Sequence, residues 1–316
     1  MYHDHQIAVI IPAYRSADHI EAVLKGIPQL VDQIVVVDDG CPEDSGKIAE
    51  SFARSDQRIE VIFHSKNSGV GAAMITGYRK ALDRESDILV KMDGDGQMDP
   101  QHLTQLLGPL VHNRAGYSKG NRFHDFNALR QMPGIRLMGN SLLSFLVKSC
   151  SGYWQIMDPA NGYTAIRSEV LRRLNLDKIA NRYFFETDML IRLNVLNVPV
   201  ADVPIPARYG DEKSSLSIRR HLISFPFLLF RGMVRRFVLK YLIYDFNMAS
   251  VYVLAGLPMV AWGIIFGLYH WIVNAAAGIP TPTGTVMLAV LPLILGTQFL
   301  IAAINIDIES SPRVKD

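Results

Sequence analysis

Two long stretches near the end of the chain contain no charged residue, and they restrict the fold more than any other feature. They run from Met248 to Val273 and from Thr285 to Ile306. Each is longer than the roughly 20 apolar residues with which an α-helix crosses the hydrocarbon layer of a membrane. A pair of buried helices in a soluble core is the alternative, but uninterrupted apolar runs of this length are typical of membrane helices. The sequence therefore predicts two transmembrane helices within residues 247–307.

Basic residues lie on one side of these runs. Residues 208–240 carry eight Lys and Arg side chains against Asp211 and Glu212, whereas the loop between the runs, NAAAGIPTPTG, has no charge. Because positively charged segments stay in the cytoplasm, we expect both termini, including a tail at 308–316, on the cytoplasmic side of the inner cell membrane. The two cysteines, Cys41 and Cys150, form no disulfide framework, which agrees with a reducing cytosol.

Residues 216–246 mix apolar and basic side chains at helical spacing. This pattern predicts one or two amphipathic helices that lie in the membrane interface, with Pro226 as a break. A buried or oligomer-forming helix pair is the alternative. In the first interpretation, the basic side chains contact anionic headgroups and hold the N-terminal part of the chain against the membrane.

Residues 1–215 alternate short β-branched runs with amphipathic runs, beginning with IAVIIPAY and ADHIEAVLKGIP. Repeated β-α units predict an α/β domain whose mostly parallel sheet is covered by helices on both faces. Ligands of such sheets bind beyond the carboxyl ends of the strands. The candidate site residues are therefore those at the strand ends: Pro12, Tyr14, Asp38, Asp39, Ser65 to Asn67, and Asp93 to Gln97.

The run LVKMDGDGQMDP places three carboxylates after a strand. Asp93 and Asp95 flank a glycine, and two carboxylates this close repel each other unless a cation lies between them. Mg²⁺ and Mn²⁺ favour oxygen ligands and commonly bridge to phosphates, so a metal-phosphate site at Asp93, Asp95 and Gln97 is one interpretation. An acidic turn that caps the next helix is the other. Asp99, which precedes Pro100 and a helical pattern, is better explained as an N-cap.

Asp38 and Asp39 also end a strand, where carboxylates accept hydrogen bonds from ribose hydroxyls or a base N–H. Turn formation in DDGCPEDSG explains them equally well. The run NSGVGAAMITG lacks the dinucleotide-binding fingerprint, because Met74 stands where that pattern has Gly or Ala. A plain helix N-terminus, able to meet an anion with its backbone N–H groups, is the expected structure there.

Eight motifs in order resemble those of the family 2 glycosyltransferases with the GT-A fold. The motifs are IIPAY, VVVDDG, NSGVGAA, KMDGDGQ, GNR, DPANGYTAIR, FFETD and RYGDEKSS, within residues 6–245. Two predicted C-terminal spans make the chain most similar to the polyprenyl-phosphate glycosyltransferases of that family. The resemblance implies a Rossmann-like GT-A domain at 1–215, followed by interface helices at 216–246 and the two spans.

The resemblance also implies roles for individual residues. Carried over to this sequence, the family's nucleoside contacts are Pro12, Tyr14, Asp38, Asp39 and Asn67, and its metal and diphosphate contacts are Asp93, Asp95 and Gln97. Further donor or acceptor contacts are Asp158, Glu186 and Asp188, with Asp188 as the best candidate base. The implied phosphate contacts are Arg122, Arg208, Lys213 and Ser214. The implied contacts of the lipid phosphate are Arg122, Arg219 and Arg220. The chain departs from the family at Arg15 and Ser16, where Asn-Glu is frequent, at Cys41, where serine is usual, and at Gly162-Tyr163-Thr164.

The implied reaction is an inverting transfer of a hexose from a UDP- or GDP-linked sugar to a polyprenyl phosphate, with Mg²⁺ or Mn²⁺. A saccharide acceptor and a non-catalytic, membrane-anchored nucleotide-sugar-binding protein are the alternatives. The formal net charge is only +2, and we expect no nucleic-acid partner. Family resemblance alone suggests a homo-oligomer.

Overall fold

The computed structural model describes residues 1–124, 134–206 and 218–314, without the side chains of residues 124, 134–137, 140 and 218–224. The chain forms two compact units. The first comprises Met1–Met233 with Pro312–Asp316, and the second comprises Val234–Ser311. Each unit is described separately below.

A seven-stranded sheet forms the centre of the first unit. Its strands are β1 (Ile7–Ala13), β2 (Gln33–Asp38), β3 (Ile59–Phe63), β4 (Ile88–Lys91), β5 (Tyr117–Asn121), β6 (Thr164–Arg167) and β7 (Val200–Pro204). The strand order is β3-β2-β1-β4-β6-β5-β7. The pairs β1–β2, β1–β4, β2–β3 and β5–β7 are parallel, whereas β6 runs antiparallel to both of its neighbours. The predicted α/β fold with a mostly parallel sheet is confirmed.

Helices cover both faces of this sheet. They are α1 (Ala17–Gly26), α2 (Ser45–Ala53), α3 (Val70–Asp83), α4 (Leu103–Val111), α5 (Gly134–Ser151), α6 (Ser168–Arg172) and α7 (Phe185–Val195). Along β1, Ala8 and Ile10 face a core shared with α3, α5 and α7, whereas Ile7, Val9 and Ile11 face a core shared with α1 and α4. All five side chains are fully buried, because alternate residues of a strand point to opposite faces. This arrangement explains why the strand is a continuous apolar run.

Helix α8 (Ile218–Phe237) continues through Pro226 and leads into a π-helical turn at Val238–Tyr244. The predicted break at Pro226 is therefore wrong. Proline removes one helical hydrogen bond, at a cost of about 3 kcal/mol, but tertiary packing on both sides of it offsets that cost. Phe225 lies edge-on to Phe184, with ring centroids 5.8 Å apart, and Leu229 is buried in the core of the first unit.

The second unit is built around two long apolar helices, α9 (Met248–Ala276) and α10 (Thr283–Glu309). Small residues let their backbones approach closely: a Cβ on Gly256 would lie 2.9 Å from the carbonyl oxygen of Gly296. Before α9, Arg236 forms a buried ion pair with Asp307 of α10, with N···O distances of 2.6 and 3.0 Å. Both helices are long and apolar enough to cross a membrane, which agrees with the predicted spans.

Gly77 of α3 offers a test of how closely this helix packs on the sheet. A Cβ at this position would lie 2.3 Å from Cγ2 of the buried Ile10. We expect Gly77→Ala to lower the free energy of unfolding, because overpacking costs about 1–3 kcal/mol while alanine gains only about 1 kcal/mol of helix propensity.

Gly139 of α5 is the control, because a Cβ there would meet nothing within 4 Å. Gly139→Ala should leave the melting temperature of the full chain unchanged or raise it, and Gly77→Ala should lower it. Equal melting temperatures for the two variants would contradict the packing described here.

Candidate active site

The strand order brings two of the predicted motifs together. Strands β2 and β3 lie on one side of β1 and the remaining strands begin with β4 on its other side, so β1 and β4 flank the switch point at which ligands of such sheets bind. The loop after β1 carries Tyr14 and Ser16, and the loop after β4 carries Gly94 and Asp95. A Cβ on Gly94 would lie 3.1 Å from Ser16 Oγ. The two loops are therefore in contact.

The two carboxylates after β2 each brace a neighbouring loop. Asp38 is buried and accepts hydrogen bonds from the backbone N–H groups of Cys41 and Gly46, both at 2.7 Å. Asp39 is also buried and accepts from the N–H groups of Ser68 and Gly69, at 2.9 and 2.7 Å, at the start of α3. The contacts of Asp38 lie within DDGCPEDSG and support the turn interpretation for that residue, whereas those of Asp39 join the turn to the loop before α3. Their nucleoside contacts stay a prediction.

His64 gives Asp39 a third partner, because its Nδ1 lies 2.8 Å from Asp39 Oδ1 and its Nε2 lies 3.0 Å from Thr76 Oγ1. His64 and Thr76 line a pocket of about 590 Å³ beside α3, together with Lys66 and Arg79. Of the candidate residues after β3, Ser65 and Lys66 line this pocket. Asn67 lies between the pocket residues Lys66 and Ser68 in the sequence. A Cβ on Gly40, the residue after Asp39, would lie 2.8 Å from the backbone nitrogen of Asn67.

Tyr14 is the exposed aromatic residue of the predicted nucleoside side, with 41% of its surface accessible. The guanidinium carbon of Arg15 lies 5.6 Å from the centroid of its ring. The backbone N–H of Arg15 donates to Cys41 Sγ at 3.1 Å. Thus two of the positions at which the sequence departs from its family, Arg15 and Cys41, contact each other next to Tyr14.

A buried lysine lies at the centre of the site, and sequence analysis did not select it. Lys91, the last residue of β4, is 1% exposed, and its Nζ donates to Asp93 Oδ1 at 2.6 Å and contacts Glu186 Oε1 at 3.3 Å. Burial alone would lower the pKa of Lys91, but the two carboxylates outweigh burial and raise that pKa. Lys91 therefore stays charged and joins the loop after β4 to the start of α7.

The sequence contained a signal for this lysine. A charged side chain in a strand that is covered on both faces has no access to water, so it needs a buried partner of opposite charge. Gly162 is part of the same arrangement, because a Cβ there would lie 2.6 Å from Lys91 Nζ and 2.8 Å from Asp93 Oδ2. Any side chain at position 162 would displace the ion pair.

A second buried lysine, Lys119, lies on β5 and donates to the carbonyl oxygen of Asn161. Burial lowers its pKa to about 8, although the negative charges of Glu186 and Asp158 act in the opposite direction. Sequence analysis missed this residue for the same reason that it missed Lys91. Lys119 lies inside β5 and Lys91 is the last residue of β4, whereas the search concentrated on the loop residues that follow the strands.

Asp95 and Gln97 follow Asp93 in the loop after β4 and reach the surface. Asp95 is partly exposed and its Oδ1 accepts from the backbone N–H of Gln97 at 3.0 Å, while the side chain of Gln97 is exposed. Asp99 accepts from the N–H of Gln101 at 2.9 Å, directly before the turn that starts with Pro100. The predicted N-cap at Asp99 is confirmed.

The donor set fits a shared cation better than a closed metal cage. Within residues 1–124, 134–206 and 218–314, no group of three or more His, Cys, Asp or Glu side chains is arranged to hold a metal ion. Mg²⁺ is commonly bound by one or two carboxylates together with substrate phosphates and water. Asp95, with Asp93 beside it, matches that pattern. The metal contacts of Asp93, Asp95 and Gln97 stay a prediction.

Arg122 and Asp158 form an ion pair at the end of β5. Arg122 Nε donates to Asp158 Oδ2 at 2.7 Å, and its Nη2 donates to Oδ1 at 3.3 Å. The carboxylate is 1% exposed, whereas the arginine side chain is 37% exposed. Both residues line a pocket of about 60 Å³, whose wall includes Leu143 and Ser144 of α5. The guanidinium is thus held rigidly while part of its surface faces the pocket.

Asp188, the best candidate base, is buried in α7. Its Oδ2 accepts from Arg192 Nε at 2.8 Å and from the backbone N–H of Ala180 at 3.0 Å. These contacts fix the loop before α7, which packs closely on α3: a Cβ on Gly71 would lie 2.1 Å from the carbonyl oxygen of Ala180. The geometry favours a bracing role for Asp188. Its role as a base stays a prediction.

The remaining predicted contacts cannot be placed. Arg208, Lys213 and Ser214 lie outside the described residues, as does the motif RYGDEKSS. Arg219 and Arg220 belong to the first turn of α8, but their side chains lie outside the described part of the structure.

Comparison with known proteins identifies the family. Residues 8–174 match the model of glycosyl transferase family 2, which is more than half of the chain. The chain belongs to glycosyltransferase family 2. This glycosyltransferase is 31% identical over 201 residues to the polyprenol monophosphomannose synthase of Mycolicibacterium smegmatis, covering 62% of this chain and 75% of that protein.

A second relative is the UDP-N-acetylglucosamine–dolichyl-phosphate N-acetylglucosaminyltransferase of Methanococcus voltae. It is 29% identical over 221 residues, covering 66% of this chain and 88% of that protein. Among solved structures, glucosyl-3-phosphoglycerate synthase of Mycobacterium tuberculosis with UDP superimposes with a TM-score of 0.54 at 22% identity, covering 74% and 80% of the two chains. The GT-A fold that the sequence motifs implied is confirmed, as is the classification as a glycosyltransferase.

The burial of Lys91 generates a stability prediction. Lys91→Met would leave Asp93 and Glu186 without their cation, and breaking a buried ion pair in this way costs on the order of 3 kcal/mol. A buried carboxylate without a countercharge binds protons more readily in the folded state than in the unfolded state. The free energy of unfolding of Lys91→Met, measured without divalent cations, should therefore lie well below that of the wild type at about pH 8. The difference should become smaller toward about pH 5.

Lys80→Met is the control, because Lys80 pairs with Glu60 at the same distance, 2.6 Å, but with its side chain 34% exposed. Exposed pairs contribute about 0–1 kcal/mol, so this variant should unfold almost as the wild type does. The same decrease in unfolding free energy in both variants would contradict the role of Lys91 as the buried countercharge. A decrease in Lys91→Met that does not change with pH would also contradict it.

Proposed function

We propose that this glycosyltransferase moves a hexose from a UDP- or GDP-linked sugar to the phosphate of a polyprenyl phosphate, with inversion at the anomeric carbon. Undecaprenyl and dolichyl phosphate are the two acceptor types considered. The observation that carries the proposal is the acceptor side of the site, where the rigidly held Arg122 faces a pocket and the candidate base Asp188 is paired with Arg192.

The chemistry of the acceptor explains this arrangement. A sugar hydroxyl is a poor nucleophile and needs a general base. A phosphate monoester has a second pKa of about 6 and is already largely ionised at neutral pH. Asp188 Oδ2 already accepts from Arg192 Nε and from the backbone N–H of Ala180, so this oxygen is engaged in bracing the protein. A site with a fixed cation and an engaged carboxylate suits an acceptor that must be positioned and does not have to be deprotonated.

The names of several relatives support the same acceptor. The matched proteins include an undecaprenyl-phosphate mannosyltransferase from Micrococcus luteus, 30% identical over 203 residues, and a dolichol-phosphate mannosyltransferase from Pyrococcus furiosus, 26% identical over 186 residues. Their sugars differ from the N-acetylglucosamine named for the Methanococcus voltae relative. The polyprenyl phosphate is the common element, and the hexose remains to be identified.

On the donor side, Tyr14, Asp38 and Asp39 with their neighbours Pro12 and Asn67 are proposed to hold the nucleoside. The diphosphate lies near Asp95 and Gln97, and Glu186 faces the sugar. A bound Mg²⁺ or Mn²⁺ would act as a Lewis acid that stabilises the negative charge of the leaving diphosphate. The role of Lys91 is to hold Asp93 and Glu186 and to neutralise their negative charge without the metal. Residues proposed to close over the phosphates are Arg208, Lys213 and Ser214.

The proposed location follows from the two apolar helices. We propose that α9 and α10 cross the inner membrane, with the GT-A domain and both termini in the cytoplasm and basic residues of the segment 216–246 against the headgroups. A lipid phosphate at headgroup height would then meet Arg122, with Arg219 and Arg220 as further contacts. Assembly into a homo-oligomer is part of the proposal and rests on family resemblance.

The test is transfer from a panel of radiolabelled nucleotide sugars to undecaprenyl phosphate and to dolichyl phosphate in detergent, with and without a chelator. One donor should give a lipid-linked sugar in a chelator-sensitive reaction. The unphosphorylated polyprenol and a free saccharide should give no product, because neither presents an ionised phosphate to Arg122. Transfer to the saccharide but not to the lipid phosphate would overturn the proposed acceptor.

The proposed metal contact predicts the effect of Asp95→Asn. An amide at this position cannot balance the charge of a divalent cation, so kcat should fall by about 100-fold or more. Asp99→Asn is the matched control in the same loop, because asparagine is as good an N-cap as aspartate. That variant should keep wild-type kcat. Wild-type rates in Asp95→Asn would exclude the metal contact.

A further inference from the structure

Helix α5 carries apolar side chains on two faces. Its inner face contributes Val147 and Cys150 to the core shared with α3 and α7, with Leu143 packed against that core. Among the other side chains of α5 that the structure describes, four apolar ones are exposed: Met138 (70%), Leu142 (60%), Phe145 (57%) and Leu146 (38%). We call these four side chains the α5 outer face.

The outer face is a single stripe. Residues 138, 142, 145 and 146 are separated by four, three and one positions, and this spacing places them on one side of a helix with 3.6 residues per turn. A helix that is apolar on more than one face is normally covered on each of them. Contiguous exposed apolar patches of this kind mark interaction surfaces.

The residues around the stripe indicate what covers it. Helix α5 contains Arg136 and Lys148 and no Asp or Glu, so its charge suits an anionic surface. Trp154 lies edge-on to Phe145, with ring centroids 6.1 Å apart, and Met157 next to Lys148 Nζ adds a further exposed apolar side chain. An apolar stripe bordered by a lysine and a tryptophan is typical of helices that lie in the boundary between headgroups and acyl chains.

We propose that the α5 outer face inserts into the cytoplasmic leaflet of the phospholipid bilayer and docks the GT-A domain on the membrane. The bilayer is the occupant to expect for a chain with two helices apolar enough to span it. Leu143 and Ser144 of α5 line the pocket that Arg122 and Asp158 also line. Docking through α5 therefore brings the acceptor side of the site to the height of the lipid headgroups. The inference requires a bilayer and does not depend on the identity of the acceptor.

The test measures contact with lipid directly. The full chain, with Cys41→Ser and Cys150→Ala, receives a single cysteine at position 142 or 145, is labelled with a fluorophore and is placed in lipid nanodiscs. Lipids that carry a nitroxide high on the acyl chain should quench the label at both positions. Position 50 is exposed on a different helix, α2, and a label there should be quenched about tenfold less than the labels on α5.

A charge on the stripe provides a second measurement. Leu142→Glu should abolish most of the quenching at position 145, because a carboxylate opposes insertion among acyl chains. Ser51→Glu adds the same charge to an exposed residue of α2, away from the stripe, and should leave the quenching largely unchanged. An equal effect of the two variants would contradict the inference.

Two other outcomes would overturn the proposal. Labels at 142 and 145 that are not quenched would show that lipid does not cover α5. Labels that lipid nitroxides do not quench but that show energy transfer between two copies, in nanodiscs holding two chains, would assign the outer face to a second copy. Neither readout uses turnover, so a failure of sugar transfer to polyprenyl phosphate would leave the docking result standing.

Discussion

The active site depends on a positive charge in a place where water cannot reach it. Lys91 lies in a strand that is covered on both faces, and it holds Asp93 of the loop after β4 and Glu186 of α7. Without that ammonium group, two carboxylates would face each other across a poorly solvated gap, and the two elements would repel. Gly162 completes the arrangement, because any larger residue would occupy the position of the ion pair. Thus one buried lysine fixes three segments that are distant in sequence.

Four carboxylates of the candidate site differ in burial, because Asp38, Asp39 and Asp188 are buried whereas Asp95 is partly exposed. Asp38, Asp39 and Asp188 accept hydrogen bonds from backbone N–H groups of neighbouring loops, so the protein uses them to hold loops in place. Asp95 lies at the switch point of the sheet and is the carboxylate that we propose for the cation and the diphosphate. The proposed acceptor side carries a positive charge, Arg122, which is fixed by Asp158. This division suits a reaction whose acceptor arrives ionised.

Much of this arrangement could be predicted from the sequence, because strand ends in a parallel sheet converge. The alternation of β and α runs predicted the sheet, the charge-free runs predicted α9 and α10, and Asp99 before Pro100 predicted an N-cap. The side-chain pairs could not be predicted, since Lys91 and Glu186 are 95 positions apart and meet only through the strand order. Pro226 was misjudged because a local rule gave way to packing by Phe225 and Leu229. The antiparallel β6 depends likewise on tertiary pairing that no local pattern encodes.

The central claim is that the acceptor phosphate arrives ionised and that Asp188 is not its base. The most direct test is the pH dependence of kcat/KM for the polyprenyl phosphate in the wild type and in Asp188→Asn. The account predicts that kcat/KM of both enzymes falls toward acid pH with the same apparent pKa of about 6. That pKa belongs to the second ionisation of the phosphate. An acid limb that disappears or moves in Asp188→Asn would assign the titrating group to the protein and contradict the account.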